Sequence, residues 1–396
     1  MSHDLISPRT VKPTLPETVT PDTPLEELNL NWGEKDLPER VRTKHVHRLH
    51  PYLGKFIPQL VEIFLRKYFQ PGERVYDPFC GSGTTLVEAT TFGTHAIGCD
   101  IAAFNVLLSR VKTRPYDPEV VRQEVLDILE KVTTWSRGLY QRLLDLPAGW
   151  DEASIYLQTW YAPQALRELL LYRALIPRYT YQDLLKIILS RAARSARLTT
   201  HFDLDFPKTP QREPYYCYKH QRVCKPVQEA LKFLRRYSLD TIRRIEQYMA
   251  LRRGVQVDVL HGDARTVKLP HPIDGVITSP PYVGLIDYHE QHRYAYELLQ
   301  LPLRATEEIG AAAKGASKSA KTKYKEDMVA AFANTARFLK PGGYVIVVVR
   351  DTQNLYTEIA KRTGFEVLGH LRREVNRRTG RRATPFYEDV FIWRKA

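Results

Sequence analysis

The strongest constraint on the fold of this chain is a nine-residue turn held between two short apolar strands. Val75-Tyr76 reads as a buried strand after the break at Gly72. Asp77-Pro78-Phe79-Cys80-Gly81-Ser82-Gly83-Thr84-Thr85 then turns the chain into a helix carrying Leu86, Val87 and Ala89, and His95–Asp100 is a second strand ending in an acid. Strand, glycine-rich turn, helix, strand is a βαβ unit, which builds a parallel sheet with helices on its faces. Phe56, Leu60, Ile63, Phe64 and Tyr68 fall at helical spacing just upstream. Strand signals return at Val255–Leu260, Gly275–Thr278 and Tyr344–Val349, and the end reads as a hairpin of Phe365–Val375 and Tyr387–Trp393. The expected fold class is α/β, with a mostly parallel sheet closed by an antiparallel hairpin.

Four regions are expected. Residues 1–36 read as a flexible N-terminal arm, because Pro8, Pro13, Pro16, Pro21 and Pro24 interrupt helices and apolar residues are sparse. Residues 37–114 form the first part of the α/β domain and 251–396 the second. Between them, 115–250 is a mostly helical insertion and the candidate target-recognition region, with helices over Val120–Leu146, Pro163–Leu175 and Tyr181–Ala196. An Ala-, Lys- and Gly-rich stretch, 305–325, reads as a mobile loop. Net charge is +14 over 396 residues, yet 1–36 hold seven acids and three bases, so the remainder carries +18. A strongly basic body favours a polyanionic partner, most simply nucleic acid. No run of about 18 apolar residues is present, the N-terminus lacks a signal-peptide pattern, and four cysteines suit a reducing cytoplasm better than a disulfide framework.

The turn has ligand-binding character. Gly81 and Gly83 let backbone amides approach a ligand at a helix start. Asp100, 19 residues after Gly81, can accept hydrogen bonds from both hydroxyls of a ribose, and Asp263, in His261-Gly262-Asp263-Ala264 after the third strand, from an adenine amino group. Leu86 occupies the third glycine's place of a dinucleotide-binding turn, and no Gly-Lys-Ser/Thr follows for a phosphate loop. A carboxylate at Asp77 would repel a pyrophosphate but suits a cationic ligand such as the amino-acid end of S-adenosylmethionine.

Asp77–Thr85 resembles the cofactor motif of DNA amino-methyltransferases of restriction–modification systems, and His50-Pro51-Tyr52-Leu53-Gly54-Lys55-Phe56-Ile57-Pro58 resembles a segment that precedes that motif in many of them. The resemblance covers roughly 46–112 and 255–395. It implies a Rossmann-like S-adenosylmethionine-dependent methyltransferase sheet and S-adenosylmethionine as cofactor, held by Tyr52, Lys55, Phe56, Asp77, Phe79, Gly81, Ser82, Gly83, Thr84, Asp100, Asp263 and Ala264. It also implies double-stranded DNA as partner and leaves open a companion restriction endonuclease. In the commonest cytosine-N4 members the Pro-Pro-Tyr motif comes first, whereas here the cofactor half leads.

Thr278-Ser279-Pro280-Pro281-Tyr282, after the fourth strand, fits the chemistry of a base amine, whose lone pair is delocalised into the ring. Ser279 Oγ and the Pro280 carbonyl can accept from the amino hydrogens and draw the nitrogen towards a tetrahedral shape. Pro280 and Pro281 stiffen the turn, and Tyr282 offers a face for a base taken out of the helix. In the resembling family, Ser-Pro-Pro-Tyr is associated mainly with cytosine N4 and Asp-Pro-Pro-Tyr with adenine N6. An adenine-N6 DNA methyltransferase, an RNA guanine-N2 methyltransferase and a catalytically silent DNA-binding regulator are the competing functions.

Arg377, Arg378, Arg381 and Arg382 belong to a stretch of six arginines over 372–382 on the expected hairpin tip, a candidate grip on DNA phosphates. Tyr215, Tyr216, Tyr218, Lys219 and Arg222 are suited equally to base contact and to a half-buried cluster. Cys217, His220 and Cys224 have loosely metal-like spacing, but no fourth ligand is evident, so no metal is expected.

Overall fold

The structure is a computed structural model that describes residues 5–6, 12–138, 146–204, 206–282, 284, 287–311, 315, 317–375 and 386–396. Its main sheet joins β1 (Leu5–Ile6), β2 (Arg74–Asp77), β3 (His95–Asp100), β6 (Val257–His261), β7 (Ile273–Thr278), β8 (Leu339–Val349), β9 (Phe365–Val375) and β10 (Phe386–Lys395). A separate two-stranded hairpin pairs β4 (Tyr215–Cys217) with β5 (Arg222–Cys224). The order across the main sheet is β1-β9-β10-β8-β7-β2-β3-β6. β2 pairs in parallel with β3 on one side and β7 on the other, β3 with β6, and β7 with β8; β10 runs antiparallel between β8 and β9.

Period-two burial divides the sheet into two faces. Val75, Ala96, Ile277, Ile346 and Val348 point to a layer containing Leu60, Phe64 and Leu86 from the helices Pro58–Tyr68 and Thr84–Phe92. Their strand neighbours Tyr76, Ile97, Val276, Val345 and Val347 point the other way, to Met328 and Phe332 of the helix Lys318–Phe338 and Ile359 of Leu355–Arg362. Strands buried on both faces carry continuous apolar runs, which is why these segments are legible as strands despite their shortness. Gly275 serves this packing: a Cβ there would lie 2.6 Å from the Phe69 ring and 2.9 Å from the Tyr344 carbonyl.

Between β3 and β6 the insertion forms helices Pro118–Ser136, Ile155–Trp160, Pro163–Leu175, Gln182–Ala196 and Leu231–Met249. Asp117 caps the first, accepting from the Glu119 amide at 2.9 Å, with Pro118 at its first position. Val125, Ile128, Leu169, Ile187 and Ile245 form one apolar cluster with Phe104 and Leu108 of the α/β domain and with Tyr294 and Leu298 beyond β7. The insertion therefore shares a core with helices of the α/β domain rather than standing apart from it.

Two expectations are corrected. Residues 12–36 are not a loose arm. Val19, Leu28, Leu30 and Trp32 are buried in the layer that holds Leu60 and Phe64, and Trp32 Nε1 donates to the Thr14 carbonyl at 3.0 Å. The prolines exclude helix, not burial: an extended chain can lay scattered apolar residues along a groove. The expected loop 305–325 becomes helix from Lys318, capped by Ser317, whose Oγ accepts from the Ala320 amide at 3.2 Å. Alanine and lysine are good helix formers, so composition that reads as flexible linker also extends a helix once a cap and a sheet face are supplied.

Candidate active site

The chain runs from β2 outward to β3 and β6, then returns to lay β7 on the other flank of β2. This reversal leaves a crevice beyond the carboxyl ends of β2 and β7, the place where open α/β sheets take ligands. Its floor is tied together across 201 residues of sequence: Thr278 Oγ1, at the end of β7, donates to Asp77 Oδ1, at the end of β2, at 2.7 Å. Thr85 Oγ1 adds a bond to the Ile277 carbonyl at 3.1 Å.

A cleft opens here, lined by the turn after β2, by Asp100 and Ala102 after β3, by Asp263 after β6 and by Ser279 after β7. Gly81 sits at φ +49°, and a Cβ on it would come within 2.9 Å of Tyr52 Oη, so the turn is shaped by a close approach as well as a left-handed backbone. Asp100 reaches across from β3. Its carboxylate accepts from the Gly81 amide (2.9 Å), the Ala102 amide (2.8 Å) and Asn105 Nδ2 (3.1 Å). Burial nonetheless pushes its pKa up to about 6. Tyr52 receives Asn105 Nδ2 at 3.1 Å and stacks on Tyr288 and His292, with ring centroids 5.9 and 5.5 Å away.

Four carboxylates, Asp100, Asp263, Glu307 and Glu308, line the cleft against one lysine, Lys55. Arg265 pairs with Asp263 and Arg304 with Glu307, whereas Asp100 accepts from two amides and Asn105, and its charge favours a cationic ligand. Lys55 is buried, which lowers its pKa to about 8, and its Nζ donates to the His47 carbonyl at 2.9 Å.

The profile of the DNA methylase family matches residues 25–109. The Type II methyltransferase M.MjaII of Methanocaldococcus jannaschii is 38% identical across 90% of this chain and 81% of its own length. The chain belongs to the DNA methylase family. The Type II methyltransferase M.MvaI of Kocuria varians is 26% identical over 64% of this chain and 55% of that relative. A tRNA (guanine(10)-N2)-dimethyltransferase of Methanothermobacter thermautotrophicus is 33% identical over a shorter stretch, 19% of this chain and 24% of its own. S-adenosylmethionine is the cofactor of the methylase, and the acidic cleft suits its sulfonium and ammonium charges.

Most of the expected cofactor residues of the methylase converge. Tyr52, Lys55, Phe56, Phe79, Gly81, Ser82, Thr84, Asp100, Asp263 and Ala264 all line the cleft. Asp77 and Gly83 do not. Asp77 lies beneath the turn, 1% exposed, accepting from Thr278 and from the Phe79 amide (3.1 Å), and burial pushes its pKa up to about 7. A charged group expected to face the ligand instead braces the junction of β2 and β7. Gly83 is needed for packing: a Cβ there would meet Ser109 Oγ at 2.9 Å.

Asp263 reaches the wall but is engaged by Arg265, whose Nη2 lies 2.6 Å from Oδ2 and whose Nη1 bonds Asp327 at 2.7 Å. That ion pair holds Asp263 below the usual carboxylate range through hydrogen bonds from the guanidinium. An adenine amino group would have to share the carboxylate with Arg265.

The second motif abuts the first. Ser279 and Pro281 line the cleft, while Pro280 is buried behind them. Tyr324 Oη donates to the Pro281 carbonyl at 2.9 Å, fixing the turn from outside. Tyr282 is half-buried beside Phe386, and its hydroxyl donates to Glu388 Oε1 at 2.9 Å; Glu388 is paired in turn with Arg373 at 2.8 Å. Arg377, Arg378, Arg381 and Arg382 lie outside the described residues. Sequence reasoning missed Asn105, Tyr288 and Glu308. They stand outside any motif and reach the cleft only through packing; Glu308, for example, is held by His289 of a one-turn helix.

Proposed function

We propose that the methylase transfers a methyl group to the exocyclic N4 of cytosine in double-stranded DNA, acting on a base turned out of the duplex. The observation that carries this reading is the placement of Ser279 on the cleft wall at the end of β7, one residue beyond the Thr278–Asp77 junction. A serine there is a neutral hydrogen-bond acceptor, the form associated with cytosine N4 in the resembling family.

When bound, S-adenosylmethionine supplies an electrophilic methyl that an amine can take by direct displacement. Ser279 Oγ and the Pro280 carbonyl accept from the two amino hydrogens and turn the nitrogen lone pair out of the ring, towards the cleft. Tyr282 stacks on the base, its ring angle set by the bond to Glu388. The nitrogen, positive after methylation, loses one hydrogen as a proton to water. Asp100 fixes the ribose of the cofactor, and Phe79 flanks the adenine. Residues 115–250 serve as the target-recognition region, and the arginines of 377–382 grip phosphates.

DNA from cells expressing the protein, digested to nucleosides and compared with standards by mass spectrometry, tests the reading. N4-methylcytosine supports it, and N6-methyladenine would refute the base. Methylated tRNA with unmodified DNA would overturn the substrate class.

A further inference from the structure

The segment from 200 to 229 has almost no core of its own. Among its described residues only Cys217 and Cys224 are buried, while Phe202, Phe206, Tyr216, Tyr218 and Val223 stand exposed. Its one regular element is the β4–β5 hairpin, three residues a strand, and an isolated hairpin of that length is not stable in water. Yet its fold is definite: Tyr215 pairs with Cys224 and Cys217 with Arg222, Gln221 turns the chain at φ +50°, and the His220 amide donates to the Cys217 carbonyl at 3.0 Å. Something other than apolar burial has to hold it.

The side chains at the hairpin's base supply the means. His201, sixteen residues before Cys217, swings back to the turn, and one ligand atom from each of His201, Cys217, His220 and Cys224 lies within 4.8 Å of all the others. Cys217 Sγ is 3.4 Å from His201 Nδ1 and 3.6 Å from His220 Nδ1, and Cys224 Sγ is 3.5 Å from His220 Nδ1. A tetrahedral ion with the usual zinc–sulfur and zinc–nitrogen bond lengths places sulfur and nitrogen ligands about 3.5 Å apart. These three separations match three of that tetrahedron's six edges, and the remaining pairs lie within 4.8 Å. His201 is the fourth ligand that spacing along the chain did not reveal.

We propose that His201, Cys217, His220 and Cys224 form a structural zinc site that holds this segment of the insertion. Two thiolates and two imidazoles are a zinc ligand set, and four protein ligands close the coordination shell, leaving no position for chemistry. Tyr215 Oη, 2.8 Å from His201 Nδ1 and accepting from the His201 amide at 3.1 Å, is a competitor for that nitrogen among the described residues. With zinc bound, the Nδ1 lone pair belongs to the metal, and the tyrosine orients the loop through the amide.

The test is the metal content of the full-length protein, purified without chelator from zinc-supplemented cells. About one zinc per chain is expected, falling roughly fivefold or more in Cys217→Ser and His201→Ala and persisting in Tyr215→Phe. Cofactor binding reports whether each variant is folded, since the cleft shares no residue with the cluster. Should a variant fail to fold, cobalt added to the chelator-stripped native protein should give the intense visible bands of a tetrahedral thiolate site. Stripping should also open 200–229 to protease while leaving cofactor affinity in place. Native protein without zinc, zinc retained after loss of Cys217 and His201, iron in its place, or a Cys217–Cys224 disulfide in freshly purified protein would each overturn the assignment.

Discussion

Asp100 offers the sharpest test of the cofactor cleft, because its burial makes a role in binding visible as pH dependence. Its carboxylate is ionised only above about pH 6. A ribose hydroxyl donates to the charged form more strongly than to the protonated one, so the contribution is present above that value and lost as pH falls through it. Between pH 7 and pH 5 the ionised fraction drops about tenfold, so cofactor affinity should fall about tenfold, roughly 1.4 kcal/mol. The window avoids titration of the ligand's own α-amino group near 8. Calorimetric titration with S-adenosylmethionine, repeated with S-adenosylhomocysteine, checks this. The uncharged thioether should show the same slope if the ribose contact is responsible, and a shallower one if the sulfonium charge is. Asp100→Asn keeps the contacts to Ala102 and Asn105 but turns an amide donor towards the Gly81 amide. It should bind more weakly, by roughly 1–3 kcal/mol at pH 7, and with no slope. An equal slope in Asp100→Asn, or a flat native profile, would refute the reasoning, and a midpoint near 7 would point to Asp77 instead.

Tyr282→Ala should slow methylation strongly, removing a stacking face of roughly 1–3 kcal/mol, while cofactor affinity by calorimetry stays close to native. Tyr282→Phe keeps the ring but loses the hydroxyl's bond to Glu388, which keeps Arg373 as partner, and its contact with Ser279, so it should retain most single-turnover activity with a melting temperature lowered by the loss of about 1 kcal/mol. Ser279→Ala should reduce the single-turnover rate more than DNA affinity, since its hydrogen bond matters most as the nitrogen changes shape; equal losses in both would mean Ser279 only binds. Replacing Arg377, Arg378, Arg381 and Arg382 with alanine should flatten the salt dependence of DNA binding without altering the methylated sequence, and a changed sequence would show that these arginines read bases.

Where local chemistry governs, the sequence was enough. The strands at 75–77 and 95–100 were legible because strands buried on both faces are unbroken apolar runs, and the turn between them because its glycines and flanking acid have few other uses. Gly81 and Asp100 meet in the structure as their spacing implied. What escaped was non-local. Asp77 looks like a ligand-facing carboxylate until β7 arrives beside it and Thr278 claims it. Nothing near Asp263 announces that Arg265 will fold back and link it to Asp327, 62 residues beyond Arg265. The proline-rich stretch before 36 hid its burial because extended chain has no periodicity to read, and His201 was invisible as a partner of Cys217 because a loop sets their separation.

The junction between β2 and β7 has a consequence for how such a chain can be wired. The crevice is assembled by strands hydrogen-bonded side by side and by one threonine–aspartate bond, while the chain joining them travels away through β3, the whole insertion and β6 before returning. The 37–114 part and the 251–396 part meet along this seam, and both contribute residues to the cofactor cleft. Exchanging their order along the gene, with new termini opened in the long crossover, would leave the seam unchanged. A fold with this property can be permuted without being redesigned, and the order in which its motifs are read along a sequence carries little information about the chemistry performed where they meet.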